Sequence, residues 1–139
     1  MMQDRYLFKA KRKDDGEWVF GGLTYCEKTG AYFITNMGKD HISYIGFHQE
    51  VDSNTICQCT GLKDKNGRVI WENDIVAYWD SYSTESGLAE ADCIGKVVWD
   101  DETISFQVTN RLSAESYEVL GDECSVIGNV FDNPELLEE

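Results

Sequence analysis

Short apolar runs broken by turn signals recur along the whole chain, a pattern of strands. YLFKA leads into KRKDDGEW, where Asp15-Gly16 predicts a two-residue hairpin turn. WVFGGLTYC follows, then EKTG as a turn, then AYFITNM, which completes a meander of three strands. Within the second strand, the Gly21-Gly22 pair predicts a bulge or bend. GKDHISYIGFHQEVDSN has weaker periodicity and reads as a loop with one short strand near Ile42 to Phe47.

TICQCTGL then enters the densest stretch, TGLKDKNGRVIWENDIV. Asn66-Gly67 lies between apolar runs and predicts a type I′ turn, which needs positive φ at both central residues. Glu72-Asn73 predicts a kink between two strands, and the polar, acidic SYSTESGLAEAD reads as a mobile surface loop. CIGKVVWDDETISFQVT predicts a hairpin around Asp101-Glu102. Its second strand alternates Ile104, Phe106 and Val108 with Ser105, Gln107 and Thr109. RLSAESYEVLGDEC has room for a brief helical turn, and SVIGNVF is the last strand. In DNPELLEE, Asp132 or Asn133 can cap a helical turn with Pro134 at its first position.

These elements predict a mainly β fold, with α+β left open. The expected division is a β-meander over residues 1–59 and a five-stranded SH3-like barrel over 60–139, ending in a short helical turn. A chain of 139 residues suits one unit or two small subdomains, and 42% apolar content can fill a core. No apolar run approaches the roughly 20 residues that span a bilayer. The opening MMQDRYLFKAKRK lacks the order of a signal peptide, so a soluble, cytoplasmic protein is expected.

Charge narrows the partners. The net charge of −14 is uneven: Met1 to Tyr78 holds 10 Lys+Arg against 11 Asp+Glu, net −1, and Trp79 to Glu139 holds 2 against 15, net −13. Phosphate attraction needs cations on the contact face, so direct nucleic-acid binding is not expected. An anionic membrane surface would be repelled as well. The acidic half is either a solvated surface or a face for a basic partner.

Candidate chemistry is sparse. An odd count of five cysteines argues for reduced thiols over a disulfide framework. Cys57 and Cys59, two apart in a strand, share one sheet face, where a metal could use them with His41 or His48. The competing reading is two small core-facing thiols, and no second ligand pair at zinc spacing accompanies them. No metal or other cofactor is therefore expected. Glu72 and Asp74 could be paired carboxylates, but no signal of a pocket or a raised pKa accompanies them. Asp74 fits better as a hydrogen-bond acceptor for backbone at the start of a strand.

The run CTGLKDKNGRVIWENDIV, with GKVVWDD and the terminal SVIGNVFDNPELLEE, resembles the YopX family of phage and prophage proteins. The opening YLFKAKRKDDGEWVFGGL is similar to that family's first strand and turn. The residues carrying the resemblance are Thr60, Gly61, Leu62, Asp64, Asn66, Gly67, Asp74, Ile75, Val76, Gly128, Asn129, Asn133 and Pro134. Where the family pattern resembles Glu-Gly-Asp-Ile-Val, this chain has Asn73 in place of glycine, the non-glycine residue that best tolerates a left-handed backbone. The resemblance implies no established reaction, and every motif residue has a structural task.

Three function classes follow. The first is a non-enzymatic, phage-derived accessory protein that binds a host or phage protein and self-associates as a homo-oligomer. Its motivation is four Trp and seven Tyr in strand-like runs. Trp71 and Trp99 are expected in the core. The second is an acidic mimic of nucleic acid that blocks a host DNA-binding protein or nuclease. The third, a hydrolase built on His41 or His48, lacks any surrounding catalytic motif.

Overall fold

In the computed structural model, which describes residues 6–36, 47–110, 113–118 and 121–138, regular structure is almost all antiparallel strand with a few single 3-10 turns. The expected mainly β class holds. The chain divides into two compact units, Met1–Gly61 and Leu62–Glu139.

The first unit contains β1 (Phe8–Lys11), β2 (Trp18–Cys26), β3 (Ala31–Asn36) and β4 (Phe47–Val51), each antiparallel to the next. β4 returns to the end of β1: Val51 bridges Arg12, and the Asp52 N–H donates to the Lys11 carbonyl at 2.8 Å. Alternation along each strand points Ala10, Val19, Ile34 and Val51 to one face, where they form the buried core with Phe8, Leu23, Tyr32 and Ile56 around them. β2 serves two partners in succession. Residues 18–21 pair with β1 and residues 22–26 with β3, so the change of partner falls on Gly21-Gly22, where a bend was expected.

The first hairpin differs from expectation. Asp15-Gly16 does not close a two-residue turn; residues 13–16 form a four-residue loop, with Gly16 at φ 72° donating its N–H to the Arg12 carbonyl at 3.0 Å. Arg12 reaches Asp14 at 3.1 Å and Asp15 at 3.3 Å, and these local acceptors favour the wider loop. The strand expected near Ile42 to Phe47 falls mostly on residues outside those described, as does His41; β4 begins at Phe47.

β5 (Cys57–Lys63) pairs with β1 through its first residues and runs across the boundary at Gly61. β6 (Val69–Trp71) is its other neighbour, completing the order β4-β3-β2-β1-β5-β6. Beyond a turn come β7 (Asp74–Thr84), β8 (Gly87–Asp100), β9 (Ser105–Asn110), β10 (Ser113–Glu118) and β11 (Cys124–Asn129), in the sheet order β10-β9-β8-β7-β11. A ladder between β10 and β11, which would close an SH3-like barrel, is not among the described pairings. Ile70, Val76, Val97, Val108 and Cys124 form the second buried cluster, flanked by Tyr78, Phe106 and Val126.

Several local expectations are corrected here. SYSTESGLAEAD is not a loop: β7 and β8 stay paired out to Thr84 and Gly87, because each added cross-strand pair satisfies backbone groups that a loop would leave to water. Ile104 is not a core position of β9; it lies in the β8–β9 turn, 74% exposed, with φ 55°. Trp71 is buried as expected, but Trp99 is 42% exposed, its ring edge-on to Phe106 and its Nε1–H donating to Asp101 Oδ1 at 2.9 Å. In RLSAESYEVLGDEC the brief helical turn expected is present as the 3-10 turn Gly121–Glu123, and Ser113–Glu118 add the strand β10.

Candidate functional site

The stretch from Thr60 to Val76 builds a clasp on the outer edge of β11. Asp64 follows β5 and is 4% exposed. Its Oδ1 accepts from the Asn66 N–H at 2.9 Å and the Arg68 N–H at 2.8 Å, and its Oδ2 accepts from the Val126 N–H at 2.8 Å. Arg68 Nη1 donates to the Val126 carbonyl at 3.1 Å, the Lys65 N–H to the Cys124 carbonyl at 3.0 Å, and Asn66 Nδ2 to Ser125 Oγ at 3.1 Å. The other edge of β11 is occupied by β7. A carboxylate and a guanidinium thus take the places that a neighbouring strand's carbonyl and N–H would fill, and they blunt the edge against further pairing. Burial pushes the Asp64 carboxyl up, but the three backbone donors and the nearby Arg68 charge outweigh it. Its pKa ends below the ordinary carboxylate value.

This network also decides the turn. Gly67 has φ 80° but Asn66 does not have positive φ, so the predicted type I′ pair is absent. The Gly67 N–H donates to the Asp64 carbonyl at 3.0 Å and the Asp64 N–H to the Arg68 carbonyl at 2.7 Å, leaving a three-residue loop with glycine at its left-handed position. The Asp64 side chain captures the Asn66 N–H and so selects this form. Gly67→Val still strains the backbone, with open space around the new side chain. We expect a loss of about 1–2 kcal/mol in a denaturant melt, and wild-type stability would refute the assignment of this turn.

Past Trp71 the chain bends at Asn73, whose φ is 71°. The Asn73 N–H donates to the Val97 carbonyl at 2.8 Å, and its own carbonyl accepts from the Val130 N–H at 3.0 Å. Asp74, 2% exposed, accepts the Trp71 N–H on Oδ2 at 2.8 Å, and Ile75 and Val76 behind it are fully buried. This is turn architecture, and the backbone explains the asparagine. Asn73→Gly should melt within roughly 0.5 kcal/mol of the native chain, whereas Asn73→Ala should cost about 1 kcal/mol. Equal melting of the alanine variant would remove the left-handed bend from the explanation.

The second cluster of family residues lies at the end of β11. A bulge at Ile127 precedes Gly128, and a Cβ on Gly128 would stand 2.6 Å from Asn133 Oδ1. That oxygen accepts the Asn129 N–H at 3.2 Å, so Asn133, although at the start of the 3-10 turn Pro134–Leu137, does not cap it with its side chain. Asn129 Oδ1 in turn accepts the Phe131 and Asp132 N–H groups, both at 2.9 Å.

The remaining candidates for chemistry are dispersed. Cys57 Sγ donates to the Thr55 carbonyl at 3.2 Å, and Cys59 Sγ accepts the Gly61 N–H at 3.4 Å; both thiols are buried. Gly61 has φ 82°, Thr60 precedes it in β5, and Leu62 is 43% exposed. His48 Nδ1 lies 3.1 Å from Thr35 Oγ1 on the exposed side of β4. Among the described residues no group of three or more His, Cys, Asp or Glu could hold a metal ion. Burial, then Asp64 and Asp74, pushes the Cys124 thiol up, whereas the Thr29 hydroxyl and neighbouring N–H groups draw Cys26 down.

Sequence reasoning singled out Asp64 but missed Arg68, Ser125 and Val126, its partners across the clasp. The only available signal was an arginine directly after Asn-Gly, which is weak. Missed as well was the outer face of β7–β8, where Trp79 is 57% and Ile94 44% exposed.

Comparisons with known proteins agree with a whole-chain resemblance. The crystal structure of protein EF1440 from Enterococcus faecalis is similar to this chain with a TM-score of 0.52 and 26% identity, over 94% of this chain and 96% of that one. No curated protein matches this chain. A family model described as YopX protein matches residues 7–138, which include both the clasp and the terminal Asn129–Asn133 lock, and the chain belongs to the YopX family.

Proposed function

We propose that this chain is a phage- or prophage-derived accessory protein of the bacterial cytoplasm that acts by binding other proteins and copies of itself, not by catalysis. One observation carries the reading: the family residues serve backbone geometry, while large apolar side chains stand exposed on strands, among them Phe20 at 47%, Tyr25 at 52% and Trp79 at 57%. Aromatic residues of this kind are enriched in protein interfaces. The acidic half repels its own copy, so self-association is assigned to the residues before Tyr78.

Light scattering coupled to size exclusion tests it. The expected mass exceeds one chain and persists in about 0.5 M salt, where the Debye length is ~4 Å. Tyr25→Ser should lower that mass. A monomer at high protein concentration would refute self-association, and an oligomer that salt dissolves would move the contact to the acidic half.

A further inference from the structure

The β7–β8 hairpin is longer than the sheet that contains it. Its pairing runs from Ile75↔Lys96 to Thr84↔Gly87, yet β11 accompanies β7 only over residues 74–78 and β9 accompanies β8 only over residues 96–100. The pairs from Trp79↔Asp92 to Thr84↔Gly87 therefore have no flanking strand among the described residues. At roughly 3.3 Å per residue they make a two-stranded arm about 20 Å long, beside which no third strand is described. Such a ribbon is marginal in water on its own and gains stability from a third strand or a packed surface.

Charge and side-chain alternation describe what fits. Residues 79–92 contain Asp80, Glu85, Glu90 and Asp92 and no lysine or arginine. At the base of the arm, Ala77 lies opposite Ile94, and Trp79 is two residues along the same face. The exposed Trp79 and Ile94 therefore form one apolar step beside an anionic ribbon. A second copy fits poorly, because its arm has the same charge. Several N-terminal cations are already engaged too: Arg12 with Asp14 and Asp15, Lys13 with Glu50, and Lys9 and Lys11 over the Trp18 ring.

We propose that the β7–β8 arm docks an extended, lysine- or arginine-rich protein segment, which adds along a ribbon edge and seats an apolar side chain on Trp79 and Ile94. This rests on the protein-binding reading above and names its partner's chemistry. Strand addition supplies main-chain hydrogen bonds, the net negative charge of the ribbon attracts the cations of the segment, and the tryptophan face attracts a cation or a methylene stem.

The test uses the full chain and two dye-labelled ten-residue peptides of equal charge, lysine alternating with valine and lysine alternating with serine. Fluorescence anisotropy is read in about 0.15 M salt. The valine peptide should bind about tenfold tighter, and Trp79→Ser should abolish that preference while leaving the weaker, charge-driven binding. Ile94→Ser gives a second route to the same outcome, with circular dichroism melts confirming that each variant folds. Replacing Asp80, Glu90 and Asp92 by Asn, Gln and Asn should weaken both peptides about tenfold. Equal affinities for the two peptides, or an unchanged preference in Trp79→Ser, would overturn the proposal. A concentration-dependent mass that Trp79→Ser removes would place a second copy on the arm and overturn it too. A monomeric chain that keeps the peptide preference would refute only the self-association.

Discussion

Asp64→Ala should destabilise the protein by roughly 3 kcal/mol or more, a large share of the stability of a small domain. The truncation leaves the N–H groups of Asn66, Arg68 and Val126 without their acceptor, and each such orphan costs about 1–3 kcal/mol, less whatever water recovers. It also removes the negative charge near Arg68, whose guanidinium holds the Val126 carbonyl on the β11 edge. Asp64→Asn separates two parts of the effect. An amide oxygen can still serve Asn66 and Arg68, but the amide nitrogen then faces the Val126 N–H, so the turn survives and the clasp fails. An intermediate loss is expected. Chemical denaturation of the three chains at neutral pH measures this order, and an alanine variant as stable as the native chain would refute the clasp.

The same carboxylate sets an acid limb. Its folded pKa lies below the unfolded value, so the folded state favours the charged form. The stabilisation is complete above the unfolded carboxylate pKa of about 3.9 and is lost as pH falls through the lower folded value. Asp64→Asn cannot be protonated there. Its stability should fall less steeply than that of the native chain between pH 4 and pH 2.

How far the sequence could be read follows from the range of each interaction. The special place of Gly21-Gly22, where β2 changes partner, was legible because two adjacent glycines in an apolar strand report a backbone need directly. Asn73 was legible for the same reason. The task of Asp64 was not, because its partner Val126 stands 62 positions away and nothing local announces it. That distant demand reshaped a local feature: the Asn66-Gly67 pair reads as a two-residue turn until the Asp64 side chain takes the Asn66 N–H. Ile104 misleads in another way, since it continues the alternation of Phe106 and Val108 while the chain has already turned at φ 55°. The arm at residues 79–92 was hidden by composition. Ser, Thr, Gly and acidic residues suggest a loop, but a hairpin already started by the core residues Val76 and Val97 can keep pairing outward through such a sequence.

Gly21→Ala should be the most damaging single methyl in the first unit, with an expected loss above about 3 kcal/mol. A Cβ at this position would sit 2.1 Å from the Thr35 carbonyl oxygen and 2.9 Å from its carbon, and the Ile34 side chain is 3.3 Å away. The two Thr35 atoms are backbone of β3, held in register by Gly22↔Thr35 and Leu23↔Ile34, so they cannot rotate aside as a flexible side chain would. The collision falls where β2 leaves β1 for β3, so relief requires opening one ladder or the other. Either choice uncovers Val19 and Ile34, which the meander buries. Amide exchange should show the loss first in β2 and β3, with protection at Leu23 and Ile34 falling before that at Val97 and Val108. Gly22→Ala is the matched control, because a Cβ there meets nothing within 4 Å and should cost under about 1 kcal/mol. Equal melting of the two variants would mean that the change of partner does not depend on close approach at Gly21.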